Sequence, residues 1–419
     1  MPLARFLLAA LTAALLAAVS ATSAHAAFET VHASGLAVEP GGRAHFLSQT
    51  FESPTTLLIV HRQEPDGTLD GGVLVTGRTE LGYLHTGLIA VDSAGTETIV
   101  WLDGPLNGPK QLRGRRRTAD GRFGPIVIIG QDVVGFHQEI DLALDADGDA
   151  VLVWRQDVNG RPVVRGRRWL ADGTLEAPVA FSSAYYPAHT PQVAVDPAGN
   201  AVVVWQRRGP GAVLVRGLSA QGELSAVRTV SASGDGTALP RVGVADDGTA
   251  VVTWDGKLRT RTAAGDLTPT VVLDPDGASP QDVAVAPNGD AVIVHAARDG
   301  DTGQDEVWIR ARSAGGTLAP AQLLERLPAR AAVWAPLRVD LDPAGNAVAM
   351  WNAGDDVRTR RRLAGGALTV AGYVAEGGRP GNALDVDAAG TATFLFGTQT
   401  RRRFAPSGTF GRVRALTFD

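Results

Sequence analysis

The chain has 419 residues, a formal charge of −5 and no cysteine. Without cysteine there is no disulfide framework, thiolate nucleophile or zinc–thiolate centre, and a mildly acidic balance argues against a general nucleic-acid-binding surface. Length alone would divide such a chain into two or three domains.

The first predicted element is residues 1–26. Arg5 gives a short positive start, Phe6 to Val19 is an unbroken apolar or Thr/Ala run, and Ala24-His25-Ala26 forms a small-x-small cleavage site. This pattern predicts a secretory signal peptide. The run of about 14 residues is shorter than the roughly 20 needed to span a bilayer. The mature chain, 27–419, is therefore expected outside the cytoplasm, without a transmembrane segment and with a charge of −6 once Arg5 is removed.

Beyond the leader one pattern recurs around a pivotal glycine: Gly42, Gly95, Gly148, Gly199, Gly248, Gly289, Gly345 and Gly390, spaced by 41 to 56 residues. The clearest copies read VAVDPAGNAVVVW (193–205) and VDLDPAGNAVAMW (339–351). Apolar residues stand four and six places before each pivot, and Asp, Glu or Ala stands three before it. An Asp that accepts backbone amides, followed by a glycine free to take positive φ, makes a tight turn, so each unit opens with a hairpin. After the pivot come Ala at +2 in seven copies and, at +6, Trp101, Trp154, Trp205, Trp254 or Trp351, replaced elsewhere by Phe396, His295 and Ser48. The +3 and +5 positions are also largely apolar, which hides both faces of this second strand and places it between two other sheets.

A second hairpin follows in every unit, centred on Gly67, Gly121, Gly173, Gly222, Gly265, Gly316, Gly366 and Gly408. Four strands per unit of about 50 residues is the arithmetic of a β-propeller blade. The predicted fold is all-β, a single β-propeller of eight four-stranded blades over 27–419. Seven blades plus a divergent terminal unit is the alternative, because the first copy has Ser48 in the tryptophan place. The stretch Phe28 to His32 offers an outer strand that would close the ring on the last blade.

The segments VAVDPAGNAVVVW, IAVDSAGTETIVW and VDLDPAGNAVAMW resemble the inner hairpin of NHL-type and related bacterial secreted β-propeller repeats, across all eight units. The resemblance implies protein-binding, RNA-binding or scaffold roles, with metal-dependent lyases as a minority. The +6 tryptophan and an arginine-rich third strand depart from that pattern, and the fold by itself licenses no activity.

The third strand carries an arginine six places before the second-hairpin glycine in seven units: Arg115, Arg167, Arg216, Arg259, Arg310, Arg360 and Arg402, with His61 in the first. Repetition in register points to one structural job, with the stem across the sheet and the guanidinium stacked on a tryptophan or paired with an acid. A polyanion surface built from Arg113–Arg117 and Arg358–Arg362 is the competing reading.

His32, His85 and His189 lie ten residues before their pivots and His137 eleven before its own. If they converged near the axis they would form a site for a divalent metal, Zn or Mn, able to polarise a carbonyl or carboxylate; the competing reading is a shared turn residue too widely spaced for one ion. The DADGD run at 145–149 lacks the glycine and glutamate of a calcium loop and is expected to turn without an ion. Tyr185, Tyr186 and Trp334, between blades, are candidate ligand-binding aromatics, weighed against loop packing. No phosphate loop, Gly-x-Ser-x-Gly elbow or His-Glu-x-x-His motif occurs. These features predict a secreted monomer that acts as a binding or scaffold module for a protein, peptide or glycan. The alternative is a metal-assisted lyase or hydrolase using the histidines.

Overall fold

A computed structural model describes residues 31–415 apart from 53–54, 77–82, 106–107, 135–138, 210, 233–238, 275–280, 329–330, 334–336, 376–382 and 397–399. The expected leader, His137 and Trp334 therefore lie outside the described residues. Among those described, the chain is all-β, with no α-helix and hence none long and apolar enough to cross a membrane.

The strands run as successive antiparallel meanders of four: units 1 (31–74), 2 (83–133), 3 (140–180), 4 (188–229), 5 (241–272), 6 (281–326), 7 (338–375) and 8 (383–415). Six are separate sheets. Units 2 and 3 join into one through a single pairing of Val133 with Gln156. In every unit both glycine turns form as the sequence predicts, all sixteen glycines having φ between 78° and 97°. In unit 4, the Gly199 amide donates to the Asp196 carbonyl at 2.9 Å while the Asp196 carboxylate accepts the Asn200 amide at 2.8 Å. Because the strands alternate in direction, both glycine turns of a unit lie on one rim, the turn rim. The second-to-third-strand turns and the unit-to-unit connections lie on the other.

The inner strand of each unit packs against the inner strand of the next, and that of unit 8 returns to that of unit 1. The sheets thus stand radially around an axis, the architecture of a β-propeller. Unit 8 ends on its own outer strand, Arg414–Ala415, while Val31 and His32 begin the inner strand of unit 1 by pairing with Thr50 and Gln49. For Val31 and His32 that assignment corrects the expectation that 28–32 supplies an outer strand to the last blade, and 28–30 lie outside the described residues.

The core is divided into slabs between units, because each sheet buries both faces against its neighbours. Trp205 of unit 4 shares one buried cluster with Val151, Val153, Val164 and Phe181 of unit 3, and Trp351 of unit 7 shares another with Val294, Val307 and Ile309 of unit 6. All five +6 tryptophans are no more than 1 % exposed. In unit 1 the pair of positions filled elsewhere by tryptophan and arginine holds Ser48 and His61, hydrogen-bonded to each other at 3.1 Å. The slab between units 8 and 1 is the smallest, with Ala44, Phe46 and Leu395 as its buried members.

The repeated arginine does the structural job expected of it with different partners. In all seven cases its Nε donates to the carbonyl nine residues on, as in Arg115 to Gly124 at 2.7 Å and Arg402 to Gly411 at 2.9 Å. In six of the seven, Nη1 also donates to the outer edge of the preceding unit: Arg115 to Val75, Arg259 to Val230 and Arg360 to Leu324, at 2.8 to 3.0 Å. The guanidiniums cap carbonyls that no ladder reaches, so the fork-shaped head is needed and the +6 tryptophan is not its partner. The neighbouring arginines are engaged as well, Arg113 with Asp103 at 2.9 Å and Arg358 with Glu325 and Tyr373, which leaves little of these runs for a polyanion.

Trp205→Ala should destabilise the protein by about 3–5 kcal/mol, the cost of emptying a fully buried aromatic site. Chemical denaturation of the two proteins measures it, and a loss below about 1 kcal/mol would mean that the slab between units 3 and 4 does not hold the ring.

Candidate functional site

Inner strands have a ladder on one edge only, and their other edge faces the axis. Every described residue of the inner strands of units 5 and 8 is half-buried, as expected where solvent reaches the free edge. Five and seven residues before the pivots, the first two units present small or apolar groups: Gly35, Ala37, Leu88 and Ala90. The later units present Asp141, Gln192, Arg241, Asp282, Arg338, Asp340 and Asp385 at the same places.

Four of these side chains have a structural task. Asp141 accepts the Val193 amide at 2.9 Å, Asp282 that of Val339 at 3.2 Å, Asp340 that of Val386 at 2.8 Å and Asp385 that of Val38 at 2.7 Å. Each acid reaches the inner strand of the following unit and caps an amide at its free edge, since an unpaired amide there would otherwise depend on water. Glu139 continues the series at 3.0 Å from the Thr190 amide.

The remaining valences face one another across the axis. Arg241 donates to Gln192 Oε1 at 2.7 Å and lies 3.6 Å from Asp282. Arg338 of unit 7 feels Asp141 of unit 3, on the far side of the ring, as well as Asp282 and Arg241. Burial, opposed by the Val193 amide, pushes the Asp141 carboxyl up to about 6. Burial raises Asp340 too, and Asp385 further still, because burial is joined there by the charge of Asp340; the two hydrogen-bond to each other. One proton held between two carboxyls is the low-energy state of such a pair. Burial and the nearby Arg241 lower the Arg338 guanidinium. The arrangement offers carboxylate acceptors, a carboxyl that can donate a proton, and guanidinium and amide donors on the axial edges of the inner strands.

Of the four histidines singled out from sequence, His189 is the one whose side chain lies among the described residues. It starts the inner strand of unit 4, with its ring 3.6 Å from Glu139, which also pairs with Arg155 at 3.1 Å. Burial, with Arg155 and Arg208 beside it, lowers the imidazole to about 4. Next to it Thr190 takes φ of 49°, a strained conformation for a β-branched residue. The backbone places His32 and His85 on the inner strands of units 1 and 2. Two guanidiniums beside His189 oppose a divalent cation. Among the described residues no group of three His, Asp or Glu side chains is placed to hold one; the side chains of His32 and His85, like the whole of His137, lie outside the described residues. In the DADGD turn, Asp145 accepts the amides of Asp147 and Asp149 at 3.0 and 2.9 Å, and Asp149 that of Ala171, so these carboxylates serve backbone.

Tyr185 and Tyr186 stand together on the connection rim, edge to face with centroids 4.6 Å apart. Tyr186 packs under Arg207 and against Gly209, whereas Tyr185 is 72 % exposed. The axial cluster was not among the residues chosen from sequence. Its signal is a departure from the repeat: six units have Ala or Gly five places before the pivot, and Asp340 and Asp385 break the series.

No protein-family model matches the chain. No curated protein matches it. Among solved structures it is similar to the WD40 domain of SCAP from fission yeast, at 11 % identity and TM-score 0.50, over 88 % of this chain and 93 % of that one. A structure from a study of two prolyl endopeptidases overlaps at 13 % identity and TM-score 0.50, over 90 % of this chain and 55 % of that one, so this chain spans about half of it. The GH93 α-L-arabinofuranosidase of Fusarium graminearum with arabinobiose overlaps more loosely, at 14 % identity and TM-score 0.44, over 71 % and 93 %. At such identities the likeness reaches the fold and stops there.

Asp141→Asn keeps an oxygen for the Val193 amide and removes a charge that burial disfavours. A carboxyl raised in the folded state contributes stability that is present below the ordinary carboxylate range, near pH 4, and lost as pH rises through about 6. The variant should therefore match the parent at pH 4 and exceed it by about 1–2 kcal/mol at pH 7.5. Thermal denaturation at both pH values checks this, and an equal difference at each would refute it.

Proposed function

We propose that the chain is an exported eight-bladed β-propeller that binds a polyhydroxylated ligand, the end of a glycan, at its axis. Eight blades are supported by the circuit of inner-strand contacts from unit 1 through unit 8 and back. Export is supported by the 1–26 leader pattern. The binding reading is carried by one observation, the convergence of Asp141, Gln192, Arg241, Asp282, Arg338, Asp340 and Asp385 where the first two units present Gly, Ala or Leu. Four acids, two arginines and a shared proton give a site with many acceptors and donors and a small net charge. That mixture suits hydroxyl groups, which both give and accept hydrogen bonds, better than it suits a multiply charged ion. Tyr185, exposed on the connection rim, supplies a flat surface on which a further sugar can stack.

A second reading, hydrolase or lyase, is favoured by the Asp340–Asp385 pair. A protonated carboxyl beside ionised ones is the constellation of general acid–base catalysis. In this reading Asp385 would give its proton to a leaving oxygen, and an ionised axial carboxylate would activate water or take a proton from carbon.

Purified protein applied to an array of neutral and acidic oligosaccharides should retain at least one class saturably. Among the described residues Arg241 touches the Gln192 and Asp282 side chains and no backbone, so Arg241→Ala should weaken retention about tenfold or more while leaving thermal stability near the parent's. Release of new reducing or unsaturated ends, lost in Asp385→Asn, would decide for catalysis. Failure to retain any oligosaccharide, or retention indifferent to Arg241→Ala, would defeat the axial assignment.

A further inference from the structure

Five units carry a second arginine directly after the position of the ladder arginine: Arg62, Arg116, Arg168, Arg361 and Arg403. Its guanidinium crosses the turn rim to the next unit. Arg116 donates to the carbonyls of Gly148 at 3.0 Å and Leu170 at 2.6 Å. Arg168 reaches those of Gly199 and Ser219, and Arg361 that of Gly390 at 2.7 Å. Arg403 closes the circuit on Gly42 and Pro65 of unit 1 at 2.6 and 2.7 Å. In each of these five units an acid stands three residues before the pivot glycine: Glu39, Asp92, Asp145, Asp342 and Asp387. It lies under the next unit's turn, as Asp342 does at Gly390 and Asp387 at Gly42, in space that a side chain on those glycines would need.

Units 5 and 6 lack both partners, with Thr260 and Ala311 in the arginine place and Ala245 and Ala286 in the acid place. Unit 4 differs from all the others, since it keeps the acid, Asp196, 3 % exposed, and has no arginine. Gly217 stands opposite Val202 in the register in which Arg168 stands opposite Val151. Where the guanidinium would lie there is a cavity of about 540 Å³ whose walls include Asp196, Gly217, Glu223, Asp246, Asp247 and Arg261. The cavity at the junction of units 6 and 7 is of the same size, but it has Ala286 and Ala311 at these places and one acid, Asp290, beside Arg312 and Arg362. Among the described residues the junction of units 4 and 5 therefore combines space, an acidic wall and the pivot carbonyl of Gly248; the second-turn carbonyl of Thr262 accepts from Arg261 Nη1 at 3.3 Å and keeps its second lone pair.

We propose that the junction of units 4 and 5 is an open guanidinium socket that takes an arginine side chain of a partner peptide or protein. Four sister junctions show the ligand chemistry directly, a planar fork donating to the pivot carbonyl of the next unit with a carboxylate alongside. Lysine, a point donor, cannot span the pivot and second-turn carbonyls as the fork does.

The test is fluorescence anisotropy with the labelled peptides acetyl-Gly-Arg-Gly-amide and acetyl-Gly-Lys-Gly-amide on the full mature chain. The arginine peptide should bind saturably and about tenfold more tightly than the lysine peptide. Gly217→Arg fills the socket from within. A Cβ there meets the mobile end of Arg261 at 2.8 Å, which can swing aside, so the variant should fold, melt at a higher temperature and no longer bind the peptide. Asp196→Asn, which keeps an oxygen for the Asn200 amide, should fold in any case and weaken the arginine peptide about fivefold or more. Equal binding of the two peptides, or arginine binding unchanged in Asp196→Asn, would overturn the proposal. Oligosaccharide retention at the axis is read separately and does not enter either outcome.

Discussion

The constraint on which this structure depends is that among the described residues no backbone ladder, apart from the single pairing of units 2 and 3, runs from one unit to the next. Each meander ends in free edges, at the axis and at the periphery, and each edge exposes amides or carbonyls that must find partners. The chain meets this requirement with side chains in register. Axial carboxylates take inner-strand amides of the following unit, and third-strand guanidiniums take carbonyls of both neighbours. Apolar slabs between the sheets supply most of the burial, while these polar bonds fix the angular relation of one unit to the next. Without cysteine, the contact between units 8 and 1 rests on the same devices: Phe46 against Leu395, Asp385 on the Val38 amide, and Arg403 on Gly42 and Pro65.

That economy bears on function. A side chain repeated in every unit serves the ring, so function is sought where the repeat is broken. The breaks fall in two places. Along the inner strands, small residues give way to Asp340, Asp385 and their charged neighbours, and the carboxylates among them cap amides of the following unit. On the turn rim, Gly217 stands where four sister positions carry an arginine that reaches the next pivot glycine. Both sites are made of groups the fold already needed, altered at one or two positions.

Much of the fold was legible in the sequence because it is local. A glycine turn, an Asp four residues before the amide it accepts and a two-face apolar strand are each written within a dozen residues, and eightfold repetition removes the ambiguity of any single copy. The partners of the arginines were not legible, since the carbonyls they reach belong to other units, tens of residues away. The axial cluster was hidden for a related reason. Asp141 and Arg338 are separated by nearly half the chain, and each alone reads as an ordinary polar residue in an alternating strand. The histidines drew notice through equal spacing, and spacing alone does not say what each ring meets. His189 meets Glu139, Arg155 and Arg208 of its own neighbourhood.

The central claim is that the ring is closed between its first and last units by the same amide-capping carboxylates that join the others. Amide hydrogen exchange at Val38 tests it most directly. If Asp385 holds that amide in a closed ring, Val38 should exchange as slowly as Val193 and Val386, which Asp141 and Asp340 hold in the same manner. If Val38 exchanges orders of magnitude faster than those two under native conditions, units 8 and 1 are not joined as described, and the closed-ring account fails.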